Sequence, residues 1–229
     1  ARMGSTRFPG KVLEDLAGKP MIGQLLDRLK NVRAVDKLIL AISDELTDDP
    51  LAKYCLDNEI EYYRGSEDNV LQRYYEAAVL FELDIVIRVC GDSPLTDPEG
   101  ISNLVDVYAD NDTRFVHNRD PEGWPMGTAA DLITTDALRE ALEKSSKPDH
   151  FEHIGTYLVE NAEDFGMIVV KSPPELRRPK LDLSVDHPED LEELRRIFRV
   201  FLRNGPAAIE IREIIQWLDV NPHKLWDRH

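Results

Sequence analysis

The chain is short of cysteine, of positive charge and of long apolar runs, and each shortage excludes something. Its two cysteines, Cys55 and Cys90, are too few for a disulfide framework or a cysteine zinc site. They suit a reducing compartment, so a cytoplasmic setting is expected. No apolar run approaches the ~18 residues that a membrane-spanning helix requires. The opening ARMGSTRFPGK is basic, but no apolar segment follows it as in a secretory signal. Twenty-eight Lys and Arg face 44 Asp and Glu, a formal net charge of −16. Such a surface repels DNA, RNA and anionic membranes, so neither a nucleic acid nor a membrane is expected as a partner.

What is present is the mix of a globular domain: 229 residues, 42% hydrophobic and 31% charged. One domain over residues 1–229 is expected. Short runs rich in β-branched and aromatic residues read as strands: 37–43, 60–64, 84–90, 114–117, 129–134 and 166–171. Apolar residues at helical spacing mark helices over 20–29, 48–58, 68–81, 135–144 and 149–161. Another starts near Asp186, with acids early and arginines late, and stops at Gly205. Alternation at this pitch predicts an α/β fold: a mostly parallel, Rossmann-like sheet with helices on both faces. Residues 119–127, with Pro121, Gly123, Pro125 and Gly127, read as a loop over the site.

The charge is uneven. Residues 1–37 hold eight Lys or Arg, Arg28 among them, against four acids. This basic island is either a solvated terminus or a site for a small anion. Within it, Arg2-Met-Gly-Ser-Thr-Arg-Phe-Pro-Gly-Lys11 gathers three cations, two hydroxyls and two glycines. Glycines let backbone N–H groups approach an anion, and Arg and Lys supply charge-assisted bonds to phosphate. It is not a Walker A loop: five residues separate Gly4 from Gly10, and Val12 stands where Ser or Thr would hold magnesium. Asp92 follows the most apolar strand, at the carboxyl end where open α/β sheets place ligands. It reads as a metal-binding carboxylate or as an Asx turn before Pro94. Asp186 with Glu189 fits a capping box as well as a ligand role.

Together ARMGSTRFPGK (1–11), LAGKPMI (16–22), RGSEDNVLQRYYEAA (64–78), RVCGDSPLTDPE (88–99) and SVDHPEDLEELRRIF (184–198) resemble the cytidylyltransferases that activate sugars as CMP conjugates. Spore-coat-polysaccharide-type proteins are the nearest likeness, and the octulosonate and acylneuraminate enzymes belong to the same superfamily. The resemblance implies a nucleotide-diphospho-sugar transferase fold and a homodimer. It implies transfer of CMP from CTP to a sugar acid or related small acceptor, with Mg2+ and release of pyrophosphate. Carried onto this sequence, Arg7 and Lys11 are catalytic, and Arg2, Ser5, Ser66 and Asp68 bind the nucleotide. Asp92 and Asp186 hold the metal. Ser66 and Asp68 read equally as the start of the 68–81 helix. In relatives an apolar strand leads into the basic loop, so that strand is expected to have been trimmed before Ala1.

Residues 119–165 then form the acceptor side, with Asp131, Glu152 and His153 as acceptor-binding residues. Here the pattern departs from relatives. Gly127-Thr-Ala-Ala-Asp131 has Ala129 in place of the first acid of a Gly-x-Asp-x-Glu motif and Asp131 in place of the second. With Trp124 and Met126 adding apolar bulk, a pocket poorly suited to a polyhydroxylated sugar acid is expected. His150 and His153 lie a turn apart, but no zinc motif accompanies them. Two other classes compete: a nucleotide-sugar glycosyltransferase, whose Asp-x-Asp would be Asp110-Asn-Asp112, and a nucleotide-binding module without catalysis.

Overall fold

The computed structural model describes residues 1–30, 32–120 and 123–221. Pro121, within the expected 119–127 loop, therefore lies outside the described residues. The strands are β1 (Asp15–Leu16), β2 (Lys19–Pro20), β3 (Ile39–Ser43), β4 (Glu61–Gly65), β5 (Ile85–Arg88), β6 (Phe115–His117), β7 (Asp131–Thr134) and β8 (Ile168–Val169). The helices are α1 (Met21–Leu29), α2 (Asp49–Asp57), α3 (Val70–Leu80), α4 (Pro98–Ala109), α5 (Thr135–Lys144), α6 (Pro148–Glu152), α7 (Gly155–Glu160), α8 (Pro188–Phe201) and α9 (Ile211–Val220).

The α/β class stands, and the strands run parallel as expected except for β7 and the short β1–β2 ribbon. β3 pairs parallel with β4, and β6 with β8. β7 lies antiparallel between β5 and β6. The described connection from β6 to β7 holds no helix. Without a helical crossover the chain comes straight back beside β6, which makes the pair antiparallel. β3 and β5 do not pair. An apolar cleft of about 510 Å³ lies between them, lined by Ile22, Leu40, Ile85, Ile87 and Ile101 among others.

Side chains alternate across the central strands. Val116 and Leu132, with Ile85 and Ile87 packed alongside, join Ile101 and Leu104 of α4 in one core. Phe115 and Ile133, with Val86, join Leu71 of α3, Leu138 of α5 and Leu158 of α7 in another. Period-two burial of this kind places helices on both faces.

Several elements depart from their sequence expectation. The expected 149–161 helix breaks into α6 and α7, because His153 adopts an extended backbone and Ile154 turns into the second core. α3 starts at Val70, where Asn69 accepts the Gln72 N–H and caps the helix; Ser66 and Asp68 precede it. α8 ends in a short 3-10 turn before Gly205 at φ 87°. Arg28, counted in the basic island, is fully buried. It donates to the carbonyls of Thr96, Pro206 and Ile209, tying α1 to the C-terminal segment. Burial pulls its pKa down to about 10, against the pull of Asp97.

Candidate active site

The basic loop is folded onto the sheet by a buried carboxylate. Asp48 accepts the Met3 N–H at 2.6 Å and the Ser43 N–H at 2.9 Å. The Met3 carbonyl in turn accepts from Ser5 and Gly10, and Ser5 Oγ accepts the Phe8 N–H. Gly10, at φ 77°, turns the chain into the 3-10 helix Lys11–Leu13. An L side chain pays for that conformation, and glycine does not.

Lys11 thereby points inward and is only 7% exposed. Its Nζ donates to Asp92 Oδ2 at 2.8 Å, Val185 O at 2.6 Å and Asp186 Oδ1 at 3.1 Å. All three ammonium protons are thus committed. Arg7 Nη2 reaches Asp186 Oδ2 at 2.7 Å from the solvent side. Arg2 lies between Glu67 and Glu152, 4.0 Å from each, and so connects the loop after β4 with α6.

Two sequence features bring Asp92 and Asp186 side by side. The Asp92 carbonyl accepts the Val185 N–H at 2.9 Å. Asp190, not Asp186, caps α8: its Oδ2 accepts the N–H groups of Asp186 and His187 at 2.9 and 2.7 Å. This frees the Asp186 carboxylate for the cations and removes the capping-box reading at Asp186.

The site fits a divalent cation. Two carboxylates already clasp one positive centre, the Lys11 ammonium. No group of three or more His, Cys, Asp and Glu able to hold a metal exists among the described residues. A magnesium ion here would take one or two carboxylates and complete its shell with phosphate oxygens and water, its usual habit beside nucleotides.

On the acceptor side the three expected residues differ in exposure. Glu152 and His153 are exposed, and His153 Nε2 sits 3.7 Å from Asp149. His150 is buried and pairs with Glu160, so the two histidines form no zinc pair. Asp131 does not face an open pocket. It is 1% exposed, with Oδ2 taken by Arg88 and Oδ1 by Arg119. Its carboxylate is thus held between two arginines rather than left open to solvent. Trp124 also turns away, buried with its indole N–H on the Val170 carbonyl. Sequence reasoning gave no role to Arg88 or Arg119. The available signal was an arginine closing the most apolar strand.

Titration follows from these contacts. Burial opposes charge on Arg88, but Cys90 and Asp131 outweigh it and raise its pKa. Burial pushes the Cys90 thiol up, which does not suit a nucleophile. Burial first, then Arg119, hold His117 below its usual value. Asp110-Asn-Asp112 lies exposed just before β6, whereas Asp92 follows the carboxyl end of β5. β5 and β6 run the same way, each being antiparallel to β7. The acidic triplet is therefore at the opposite edge of the sheet, which removes the support for a glycosyltransferase.

The model of a cytidylyltransferase family matches residues 1–211. The chain belongs to the cytidylyltransferase family. It is accordingly a nucleotidyltransferase. A structure of a cytidylyltransferase from Leptospira borgpetersenii superposes with a TM-score of 0.90 at 28% identity, over 100% of this chain and 94% of that one. The spore coat polysaccharide biosynthesis protein SpsF of Bacillus subtilis is 27% identical over 100% of this chain and 95% of its own length. A 3-deoxy-manno-octulosonate cytidylyltransferase of Geobacter sulfurreducens is 26% identical over 86% of this chain and 84% of its own. No described helix of this cytidylyltransferase is long and apolar enough to cross a membrane.

Proposed function

We propose that this enzyme transfers CMP from CTP to a sugar acid or related small acceptor, releasing pyrophosphate, with Mg2+ between Asp92 and Asp186. The observation that carries the reading is the Lys11 ammonium clasped by both carboxylates beside β5. Arg7 and Lys11, which meet at Asp186, would neutralise the triphosphate together with Arg2 of the same loop. Lys11 and Arg7 already touch Asp186, so a triphosphate drawn to these cations arrives beside the carboxylates. A bound magnesium ion would stabilise charge on the transferring phosphoryl group and the departing pyrophosphate. The octulosonate enzyme among the relatives supports a sugar-acid acceptor, and SpsF supports a place in polysaccharide synthesis.

The test is a pyrophosphate-release assay with CTP, ATP, GTP and UTP against sugar acids, phosphonates and sugar phosphates. CTP with one acceptor class should be turned over in Mg2+ and not in EDTA. Release that ignores the base, needs no acceptor or survives chelation would overturn the reading.

A further inference from the structure

We propose that Arg88 and Arg119, both held by the buried Asp131, form a clamp for one carboxylate of the acceptor. The inference rests on the acceptor-transfer reading above and names the residues that select the substrate's charge.

Strand register places the parts. Arg88 pairs with Asp131, and Asp131 with His117, across β5, β7 and β6. Directly paired residues show their side chains on the same face. Two positions back along these strands lie Val86, Ile133 and Phe115, packed in the core beneath α3 and α5. The row Arg88–Asp131–His117 is thus the polar end of that apolar face. It sits at the carboxyl end of β5 and β6, the edge that takes ligands in open α/β sheets.

Asp131 organises the row from behind. Arg88 Nη1 donates to its Oδ2 at 3.1 Å, and Arg119 Nε to its Oδ1 at 2.6 Å. Among the described residues no other side-chain or carbonyl acceptor is bonded to either guanidinium. A guanidinium has five N–H donors, so most donors of both groups remain free. Their side chains are 25% and 42% exposed, so both guanidinium groups reach solvent at this edge of the sheet. A Cβ on Gly155 would lie 2.5 Å from Arg119 Nη2, so the glycine leaves room for the guanidinium. His117 accepts the Arg119 backbone N–H on Nδ1 at 3.2 Å. Its Nε2 is buried without a partner.

The charges select the ligand. Two guanidiniums less one carboxylate leave one positive charge, with His117 neutral. One carboxylate balances it, and the planar fork of arginine matches that group in two parallel bonds. A phosphate dianion would leave a surplus negative charge beside Asp131. Asp131 touches no ligand and is a positioning residue.

The experiment measures binding by calorimetry, without turnover. The probes are eight- and nine-carbon 2-keto sugar acids, their methyl esters, and sugar phosphates. At least one acid should bind, with its ester roughly 10- to 100-fold weaker, the worth of a lost charge-assisted bond. Arg119→Gln and Arg88→Gln should abolish that preference and leave CTP affinity unchanged. Because Arg88→Gln strips a partner from a buried carboxylate, Arg88→Gln/Asp131→Asn serves where the single variant does not fold. Asp131→Asn should shift preference from the acid toward the sugar phosphate, which a merely structural aspartate would not do. The proposal is overturned if acid and ester bind alike, if no acid binds, if a sugar phosphate binds wild type more tightly, or if the variants keep the preference. Absence of pyrophosphate release would instead strike the transfer reading and leave these binding results interpretable.

Discussion

The Lys11 ammonium stands between Asp92 and Asp186, 2.8 and 3.1 Å from one oxygen of each. It is their counter-ion, and it occupies the place between the two carboxylates where a metal would be held. On the proposed reading Lys11 turns a donor from a carboxylate to a phosphate oxygen when CTP binds, so Lys11→Ala removes that bond and leaves the carboxylates without their cation. CTP affinity should fall by about 1.5–3 kcal/mol, while Mn2+ titrated without nucleotide should bind more tightly than to wild type. Calorimetry reads both. Unchanged values for both would show that Lys11 neither meets CTP nor competes with the metal.

Asp92→Asn and Asp186→Asn keep side-chain volume and remove charge. Both side chains are partly exposed, and in either variant the buried Lys11 ammonium keeps the other carboxylate as its counter-ion. Magnesium-dependent turnover should be lost while circular dichroism and Tm stay near wild type. Full activity in either variant would remove that carboxylate from the metal site.

Asp190→Ala should cost stability for a different reason. Its carboxylate accepts two backbone N–H groups at the start of α8, and loss of such a cap costs about 1–2 kcal/mol. Urea unfolding measures it. A change below a few tenths would show that water replaces the cap.

The pKa of His117 is lowered from 6.5 by burial and by Arg119. Well above pH 6.5 folded and unfolded forms are both neutral, so this histidine adds no pH dependence. As pH falls through 6.5, the unfolded chain takes a proton that the folded chain refuses. Stability therefore falls toward acid, by up to about 1.4 kcal/mol per pH unit, until the folded histidine also protonates. Unfolding of wild type and His117→Asn between pH 7.5 and 5 checks the sign. The variant should show a shallower loss; an equal loss would assign the dependence elsewhere.

Local patterns carried most of the fold and part of the site. Ile85–Arg88 reads as a buried strand from its apolar run, and Asp92 follows it at the ligand edge. Lys11 stands out because glycines and cations crowd ten residues. What pattern could not show was direction and register. β7 looks the same in sequence whether it runs parallel or antiparallel. Only the antiparallel register sets Asp131 beside Arg88, where it is buried between two arginines. Arg28 reads as surface charge until three carbonyls close on it. Asp186 reads as a cap until Asp190, one turn on, is seen doing that work.

Gly127 connects the loop before β7 to the segment that carries Asp186. Its φ is 80°, and a Cβ there would lie 2.5 Å from Ser184 N and 2.6 Å from Leu183 C. Those are backbone atoms and cannot rotate aside. Met126 pairs with Leu181 and Leu183 on that segment, and Val185 pairs with Asp92. Pushing 183–184 away should therefore carry Asp186 off Lys11 and Asp92. Gly18 provides the control: its φ is 89°, but nothing lies within 4 Å of an added Cβ. Gly18→Ala should show backbone strain alone, about 1–2 kcal/mol, with turnover intact. Gly127→Ala should lose more stability and most of the CTP turnover. If the two variants turn over CTP equally, the 181–186 segment does not position Asp186 through this contact.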